Sequence, residues 1–377
     1  MKSLPEDDLS DWELLLRFLP SNWEALGRDT GALRRTRGFA DAESLLRTLL
    51  LHLVEGRSLK ETAMQVNEAG LAQVSSVAIW KRLKHAGDWF RLLNEALLLR
   101  EPQFSFPKGI LSGHRVRLID GTTVCEPGRT GSTWRVHYSV ELLSLRCDSV
   151  KILEKNSGET FRHFDIAPGD ILVADRVYAN RPGISHVVSN GGDVVVRMPY
   201  SNVPLMDAKG KPVSVLKHLR KLRVGTPGEW QWKIPSEQPD APPIPVRICA
   251  MKKTQAATER AQSKARRKAQ KSEIYTPSAE ALEAAGYVFV LTTLPSQTMN
   301  AAQVLELYRG RWQIELVFKR LKSILGLGHL PKKEPDGARA WLQGKLLVAT
   351  LVEVLIAAGE TLSPWGYPIQ IHEKPVA

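Results

Sequence analysis

The sequence predicts an α/β fold: a mixed sheet with helices, entered from an all-helical N-terminal region and interrupted by a β-rich insertion. Three observations lead there. The first hundred residues are rich in Leu, Ala, Arg and Glu with helical periodicity and almost no strand signal. Five apolar, β-branched runs then follow, three in succession and two more interleaved with helical sequence, which is the pattern of a mixed α/β sheet. From residue 200 to about 290 that pattern breaks into strand-like pieces around a Pro-rich loop and a dense basic stretch, before helical periodicity resumes at Asn300.

The 377 residues are enough for two or three domains and a sizeable core. Hydrophobic content of 43% with 24% charged residues excludes a disordered chain. Lys and Arg number 52 against 40 Asp and Glu, a net charge of +12, which favours a polyanionic partner, nucleic acid before an acidic membrane. Cys125, Cys147 and Cys249 are far apart with no CxxC pair, against both a disulfide framework and a structural zinc. The start, MKSLPEDDLSDWELLL, lacks the layout of a secretion signal. The longest apolar run, LLVATLVEVLIAA from Leu346 to Ala358, is too short to span a bilayer and reads as a buried helix. A soluble cytoplasmic protein with no membrane partner is the expectation.

Within the helical region, Ser58 and Glu61 form a capping box, Asn67–Gly70 supplies a break, and a further helix begins near Ser75 carrying Lys81, Arg82 and Lys84. The segment reads as a helix-turn-helix for DNA, against the plainer reading of a bundle with solvated basic positions. EPQFSFPKG (Glu101 to Gly109) connects it to the sheet. HRVRLIDGTTV, TWRVHYSVELL and SLRCDSVKILE read as an antiparallel meander, GDILVADRVYAN as a buried strand ending at Asp175, and GGDVVVRMP as the fifth strand. In the insertion, EWQWKIP, PIPVRICAMKK and GYVFVLTTL are strand-like. Between Lys252 and Lys271 the chain holds eight basic residues, among them Lys264, Arg266, Arg267 and Lys268, against only Glu259. Such a run is most often a solvated face, and its sign and length also suit contact with a phosphate backbone.

Three acids stand in distinctive contexts. Asp120 follows the apolar run VRLI and Asp175 closes ILVA, where an acid is costly unless hydrogen-bonded or metal-bound. The third, Glu315, lies in YRGRWQIELVFKRLKSILGLG among many bases. At about 100° per residue, with Tyr308 at zero, Arg311 falls at about 300°, Glu315 at about 340° and Lys322 at about 320°, bordering the apolar face. Oxygen ligands suit Mg²⁺, and three converging carboxylates can hold two metals roughly 3.5–4 Å apart for phosphodiester chemistry. The bland alternative is an exposed helix held by pairs such as Glu315–Lys319.

Tyr308, Arg311, Glu315 and Lys322 fit the spacing Y-x2-R-x3-E-x6-K. With Asp120 in IDGTTV and Asp175 in VADRVYA, the chain resembles the DDE transposases of the insertion-sequence-four family over most of its length. The resemblance implies an RNase H-like core with a mixed five-stranded sheet, divided as 1–105 helical N-terminal domain, 106–199 first part of the core, 200–293 β-rich basic insertion, and 294–377 second part with the Glu-bearing helix and C-terminal helices. It implies that Asp120, Asp175 and Glu315 bind two Mg²⁺ ions, with Mn²⁺ as a substitute. Tyr308, Arg311 and Lys322 then contact terminal phosphates, and Trp230 or Trp232 stacks on a flipped base. The implied reaction is cut-and-paste transposition: hydrolysis at terminal inverted repeats of double-stranded DNA, then attack of the 3′-hydroxyl on target DNA, by a homodimer in a synaptic complex in a bacterial cytoplasm. Two departures stand out. The second-Asp motif reads DRVY where many relatives have DRGY, and little sequence follows the last apolar helix beyond SPWGYPIQIHEKPVA. The competing reading is a transposase-derived regulator that binds DNA without cutting it; three acids that repel phosphate speak against it.

Overall fold

A computed structural model of the chain describes residues 11–98, 113–125, 132–142, 146–201, 203–238, 240–272, 276–323, 326–327, 330–331 and 334–361. The connector Glu101–Gly109 and the segment after the last helix lie outside the described residues.

Among the described residues, six helices come first: α1 Asp11–Leu16, α2 Trp23–Asp29, α3 Ala42–Glu55, α4 Leu59–Glu68, α5 Ser76–His85 and α6 Gly87–Leu98. The capping signals set these boundaries. Ser58 Oγ accepts from the Glu61 N–H while the Glu61 carboxylate accepts from the Ser58 N–H at 2.8 Å, starting α4 as expected. Gly70 takes a positive φ after α4, and Ser75 caps α5 through the Ala78 N–H.

The strands are β1 Arg115–Cys125, β2 Ser132–Glu141, β3 Cys147–Glu154, β4 Asp170–Ala174, β5 Asp193–Arg197, β6 Gly228–Ile234, β7 Ile244–Lys252 and β8 Tyr287–Thr292. β1, β2 and β3 form the expected antiparallel meander, and β4 and β5 add in parallel on the other side of β1. The five expected strands are present, and the sheet continues past β5. β8 pairs antiparallel with β5, then β7 with β8 and β6 with β7, giving one eight-stranded sheet in the order β3-β2-β1-β4-β5-β8-β7-β6. The three strand-like pieces of residues 200–293 thus extend the sheet. The physical reason is the open edge of β5, whose unpaired backbone groups must find partners when the strand itself is buried.

Further helices complete the fold: α7 Arg181–Ser189, α8 Val215–Leu219, α9 Gln255–Ser272, α10 Ala279–Ala284, α11 Ala301–Arg309, α12 Trp312–Ser323 and α13 Pro335–Thr361. One face of the sheet packs on α11–α13, and α13 is buried against α3, α5 and α6, so helices from both ends of the chain share one core. Of the apolar run beginning at Leu346, residues 346–351 and Val354 are buried while Val352 is exposed, so the described part of the run is largely a buried helix. Gly337 and Gly344 permit the close approach: a Cβ at either would meet Trp80 at 2.0 Å or Leu53 at 2.4 Å. α7, α8 and α10 pack on the opposite face. Among the described residues no helix is long and apolar enough to cross a membrane.

Candidate active site

The parallel register of β1 and β4 ends with Ile119 beside Ala174, so Asp120 and Asp175 are the next residues on adjacent chains. Neighbouring strands were the expectation, and the structure supplies them. Asp120 is not at a strand end, however. β1 runs on to Cys125, paired with β2 alone, because β4 stops at Ala174. Asp120 therefore lies where one neighbour strand gives out and a cleft opens. Its Oδ1 accepts from the Gly121 N–H at 2.8 Å, and Asp175 Oδ1 accepts from the Val177 N–H at 2.8 Å. Burial pushes the Asp120 carboxyl up to about 6; Gly121 and Arg311 oppose this, while Asp175 and Glu159 add to it.

The segment from Tyr308 is two helices rather than the single helix its periodicity suggests. α11 ends at Arg309, and N–H bonds from Gly310 to Leu307 O (3.0 Å), Arg311 to Tyr308 O (3.1 Å) and Ile314 to Arg311 O (3.2 Å) tighten the joint before α12 proceeds. A Cβ on Gly310 would lie 3.3 Å from Leu142 of the segment after β2, so a glycine fits where the joint presses on the sheet. The single-helix angles for Tyr308 and Arg311 therefore do not apply. Contact brings the residues together instead. The Arg311 guanidinium stands 6.0 Å from the Tyr308 ring centroid, 3.6 Å from Asp120 Oδ2, and in an ion pair with Glu315. The pair formed on α12 runs back to Arg311, in place of the Glu315–Lys319 alternative. α12 is held in this pose by buried Ile314, Phe318 and Leu321, Phe318 lying 5.9 Å from the Tyr138 ring directly across from Asp120. Lys322 is exposed at the far end of α12, about 10 Å along the axis from Glu315.

Three further residues border this cleft: Glu159 and Arg197, which no motif marks, and Tyr178, the tyrosine of DRVY. Glu159, on a bend of the connection between β3 and β4, ion-pairs with Arg135 at 3.3 Å; burial raises its carboxyl, Arg135 opposes that, and Asp175 adds to the rise. Tyr178 is fully buried with its hydroxyl lacking a hydrogen-bond partner, an arrangement that costs roughly 1–3 kcal/mol. Burial raises it strongly, and Glu159, Asp120 and Asp175 add to the rise. Arg197, ending β5, acts on Tyr308, whose hydroxyl burial raises while Arg311 and Arg197 pull it down. Glu159 had no signal beyond an acid after Gly158, Arg197 none beyond the end of the run GGDVVVRMP, and Tyr178 stood in DRVY without a role.

Other predicted residues are placed apart. Trp230 and Trp232 lie on the same face of β6, stacked on each other (6.0 Å, 12°) with His218 edge-on; Trp232 is buried. β6 is five strand positions from β1, about 24 Å across the sheet, so the structure does not bring the tryptophans to the acids. Lys264, Arg266 and Arg267 are exposed along α9; Lys268 is on the same helix, and its side chain is outside the described residues. On α5, Lys81 is exposed, but Arg82 donates to the Ala32 and Arg35 carbonyls and Lys84 pairs with Glu334 at 3.0 Å.

The donor set is all carboxylate oxygen, the chemistry of a hard divalent cation, and Asp120 is a buried acid raised by neighbouring acids, a charge excess that a cation relieves. Among the described residues no three His, Cys, Asp or Glu side chains stand close enough to hold an ion, Glu315 being turned to Arg311. The residues fit such an ion in kind.

A parallel strand pair inside the sheet thus ends in two neighbouring acids, and an arginine links one of them to a third acid on α12. Residues 154–351 match the transposase DDE domain family. The chain is 34% identical over 355 residues to the putative transposase of insertion sequence element IS186A of Escherichia coli K12, covering 92% of this chain and 94% of that one. It is 34% identical over 356 residues to the IS421 transposase of Escherichia coli, with the same coverage. It is 26% identical over 215 residues to the IS231F transposase of Bacillus thuringiensis subsp. israelensis, covering 52% and 44%. A piggyBac transposase synaptic complex with hairpin DNA shares the fold at 10% identity, TM-score 0.50, over 96% of this chain and 78% of that one. The chain belongs to the DDE transposase family, among relatives that serve insertion sequences.

Proposed function

We propose that the chain is a cut-and-paste transposase of the insertion-sequence-four type, with β3-β2-β1-β4-β5 as an RNase H-like core and Asp120, Asp175 and Glu315 as its catalytic acids. The observation that carries this is the placement of Asp120 and Asp175 side by side where β4 ends, with Arg311 bridging Asp120 to Glu315. In this reading the three acids hold two Mg²⁺ ions, which when bound activate the attacking oxygen and stabilise the leaving one. The chain's own residues supply the rest. Arg311 neutralises Asp120 and Glu315 until a DNA phosphate competes for its guanidinium, which prefers to grip such an anion bidentately. Leaving, it frees both acids. Tyr308, packed beside Arg311, and Arg197 border the same phosphate position, and Lys322 grips the backbone further along α12. Exposed Lys81 on α5 and Lys264, Arg266 and Arg267 on α9 offset repulsion between DNA and the acids. The substrates are double-stranded terminal inverted repeats and target DNA, joined by a homodimer in a synaptic complex such as the one in which piggyBac holds hairpin DNA. Trp230 and Trp232 enter this reading as stacking residues only from a second copy or after a large movement, since their own sheet holds them far from the acids.

Glu315→Gln is the deciding experiment. It should abolish Mg²⁺-dependent strand cleavage while leaving end binding in a gel shift nearly intact. Cleavage by that variant would remove Glu315 from the catalytic set, and loss of both activities together would point to a folding role.

A further inference from the structure

We propose that the segment between α2 and α3 is a phosphate clamp for double-stranded DNA: Arg34, Arg35 and Arg37 grip the backbone beside a major groove, and the first two turns of α5 enter that groove with Val77 and Lys81 leading. The clamp rests on the transposase reading above and adds to it the surface on which DNA is held away from the acids. Arg34, Arg35 and Arg37 are all exposed, and among the described residues no acid pairs with any of them. Three guanidiniums within four residues repel one another, a cost that a polyanion removes. A loose loop could relax that repulsion by moving, but this one is tied down. Leu33 and Phe39 are buried on either side of it, and the Leu33 N–H donates to Gly27 O at 2.9 Å. Gly38 takes a φ of 81° against the turn before α5, where a Cβ would lie 2.7 Å from Val74 Cγ1 and 3.2 Å from Gln73 O. From α5 itself, Arg82 donates to the carbonyls of Ala32 and Arg35. A fourth arginine thus fixes the backbone that carries the other three, which solubility alone does not require.

The free face of α5 is the second observation. Val77 and Lys81 lie within about 40° of each other around the helix, roughly opposite buried Ile79 and Leu83. On one flank Arg82 turns to the clamp, and on the other Trp80 packs where a Cβ on Gly337 of α13 would clash. The face between them is open, and Val77 is 59% exposed there. A single exposed valine signifies little by itself. Between a lysine and a row of arginines, however, it suits the thymine methyl that lines a major groove, which is wide enough to admit a helix. The turn from α4 presents α5 rigidly: the Asn67 side chain accepts from the Val74 N–H at 2.8 Å and donates to the Val74 carbonyl at 3.1 Å. An acidic membrane, the other polyanion, has no groove for a helix flanked by a clamp.

Fluorescence anisotropy of the full-length chain on a labelled random-sequence duplex of about 30 bp, repeated from about 50 to 200 mM NaCl, tests the clamp. Changing Arg34, Arg35 and Arg37 together to Ala should flatten the slope of log affinity against log salt by about 2 to 3, close to one unit per lost phosphate contact. Selection of the chain on a pool of randomised duplexes tests α5. Val77→Asn should keep the parental salt slope and exchange a preferred T for another base in the sequences recovered. A parental slope in the triple variant overturns the clamp, and parental sequences recovered by Val77→Asn overturn the placement of α5. The levels separate in the parent. If it binds neither the labelled duplex nor any member of the pool, the transposase reading fails and the clamp with it; if it binds with a steep slope that the triple variant matches, only the clamp is misassigned. Tighter binding to phosphatidylserine vesicles than to duplex, lost in the triple variant, would make the partner a membrane and overturn the proposal.

Discussion

The two ends of the β1–β4 strand pair carry charge in opposite ways. At the N-terminal end Arg115 and Arg117 both reach Asp170, at 2.7, 2.8 and 3.1 Å, the Ala167 N–H adds a bond at 3.0 Å, and Arg117 also pairs with Asp148 at 2.7 Å. Burial would raise the Asp170 carboxyl, but Arg115, Ala167 and Arg117 together hold it below its ordinary value. At the C-terminal end Asp120 is pushed up to about 6, with one arginine at 3.6 Å shared with Glu315. The same two strands thus hold one acid that is saturated with partners and one that is short of them. Saturated charge stabilises the fold; unsaturated charge is what a ligand can complete.

Asp120→Asn should give the largest effect. Cleavage should fall roughly a thousandfold or more, since a bound cation supplies several kcal/mol of transition-state stabilisation and about 1.4 kcal/mol is tenfold. Thermal melting should show no loss of stability, because the variant removes a buried charge with few partners. A marked drop in melting temperature would erase the contrast. Asp170→Asn should do the reverse, costing about 3–5 kcal/mol in denaturant unfolding by leaving Arg115 unmatched and buried Arg117 with Asp148 alone. The remaining folded fraction should cut DNA normally. The same pairing fixes a pH signature. A carboxyl held below its unfolded value of about 3.9 contributes stability that is complete above that pH and is lost as pH falls through the lower folded value. Acid unfolding of the parent should therefore lose a component that Asp170→Asn lacks. The smallest effect carries the rule to α5. Lys81→Ala should lower the salt dependence of DNA binding by about one phosphate contact without changing stability. Arg82→Ala, whose guanidinium binds the Ala32 and Arg35 carbonyls, should instead reduce stability. A reversal between these two would show that α5 turns a different face to DNA.

Legibility in the sequence follows the range of the cause. Local signals read correctly: the Ser58–Glu61 box, the break at Gly70, the meander, and two acids on adjacent strands. Arg311 and Glu315 were visible as neighbours at helical spacing. Long-range choices left no such trace. Nothing around β8 says that it pairs with β5, since an apolar strand has the same texture in an insertion as in the sheet it extends. The joint at Gly310 was hidden because a single glycine interrupts helical periodicity too little to mark two helices. Glu159 escaped, and Tyr178 was legible only as the last letter of DRVY, because their placement arises from where β4 stops, a property of the assembled sheet. The pairing of Arg82 and Lys84 with distant segments was invisible for the same reason, since a basic residue looks alike whether it faces solvent or a carbonyl.

The burial of α13 also sets a clock on synthesis. Buried Lys345 donates to the carbonyl of Leu53, a partner 292 residues earlier. At roughly 5–20 residues per second, a growing chain waits about 15–60 s between making those two residues. During that interval α3, α5 and α6 lack the helix that covers their apolar faces, and for most of it Glu315 has yet to be made. A half-made chain therefore has no closed core and, on the proposed assignment of Glu315, an incomplete set of acids, so that the capacity to cut DNA would arrive late.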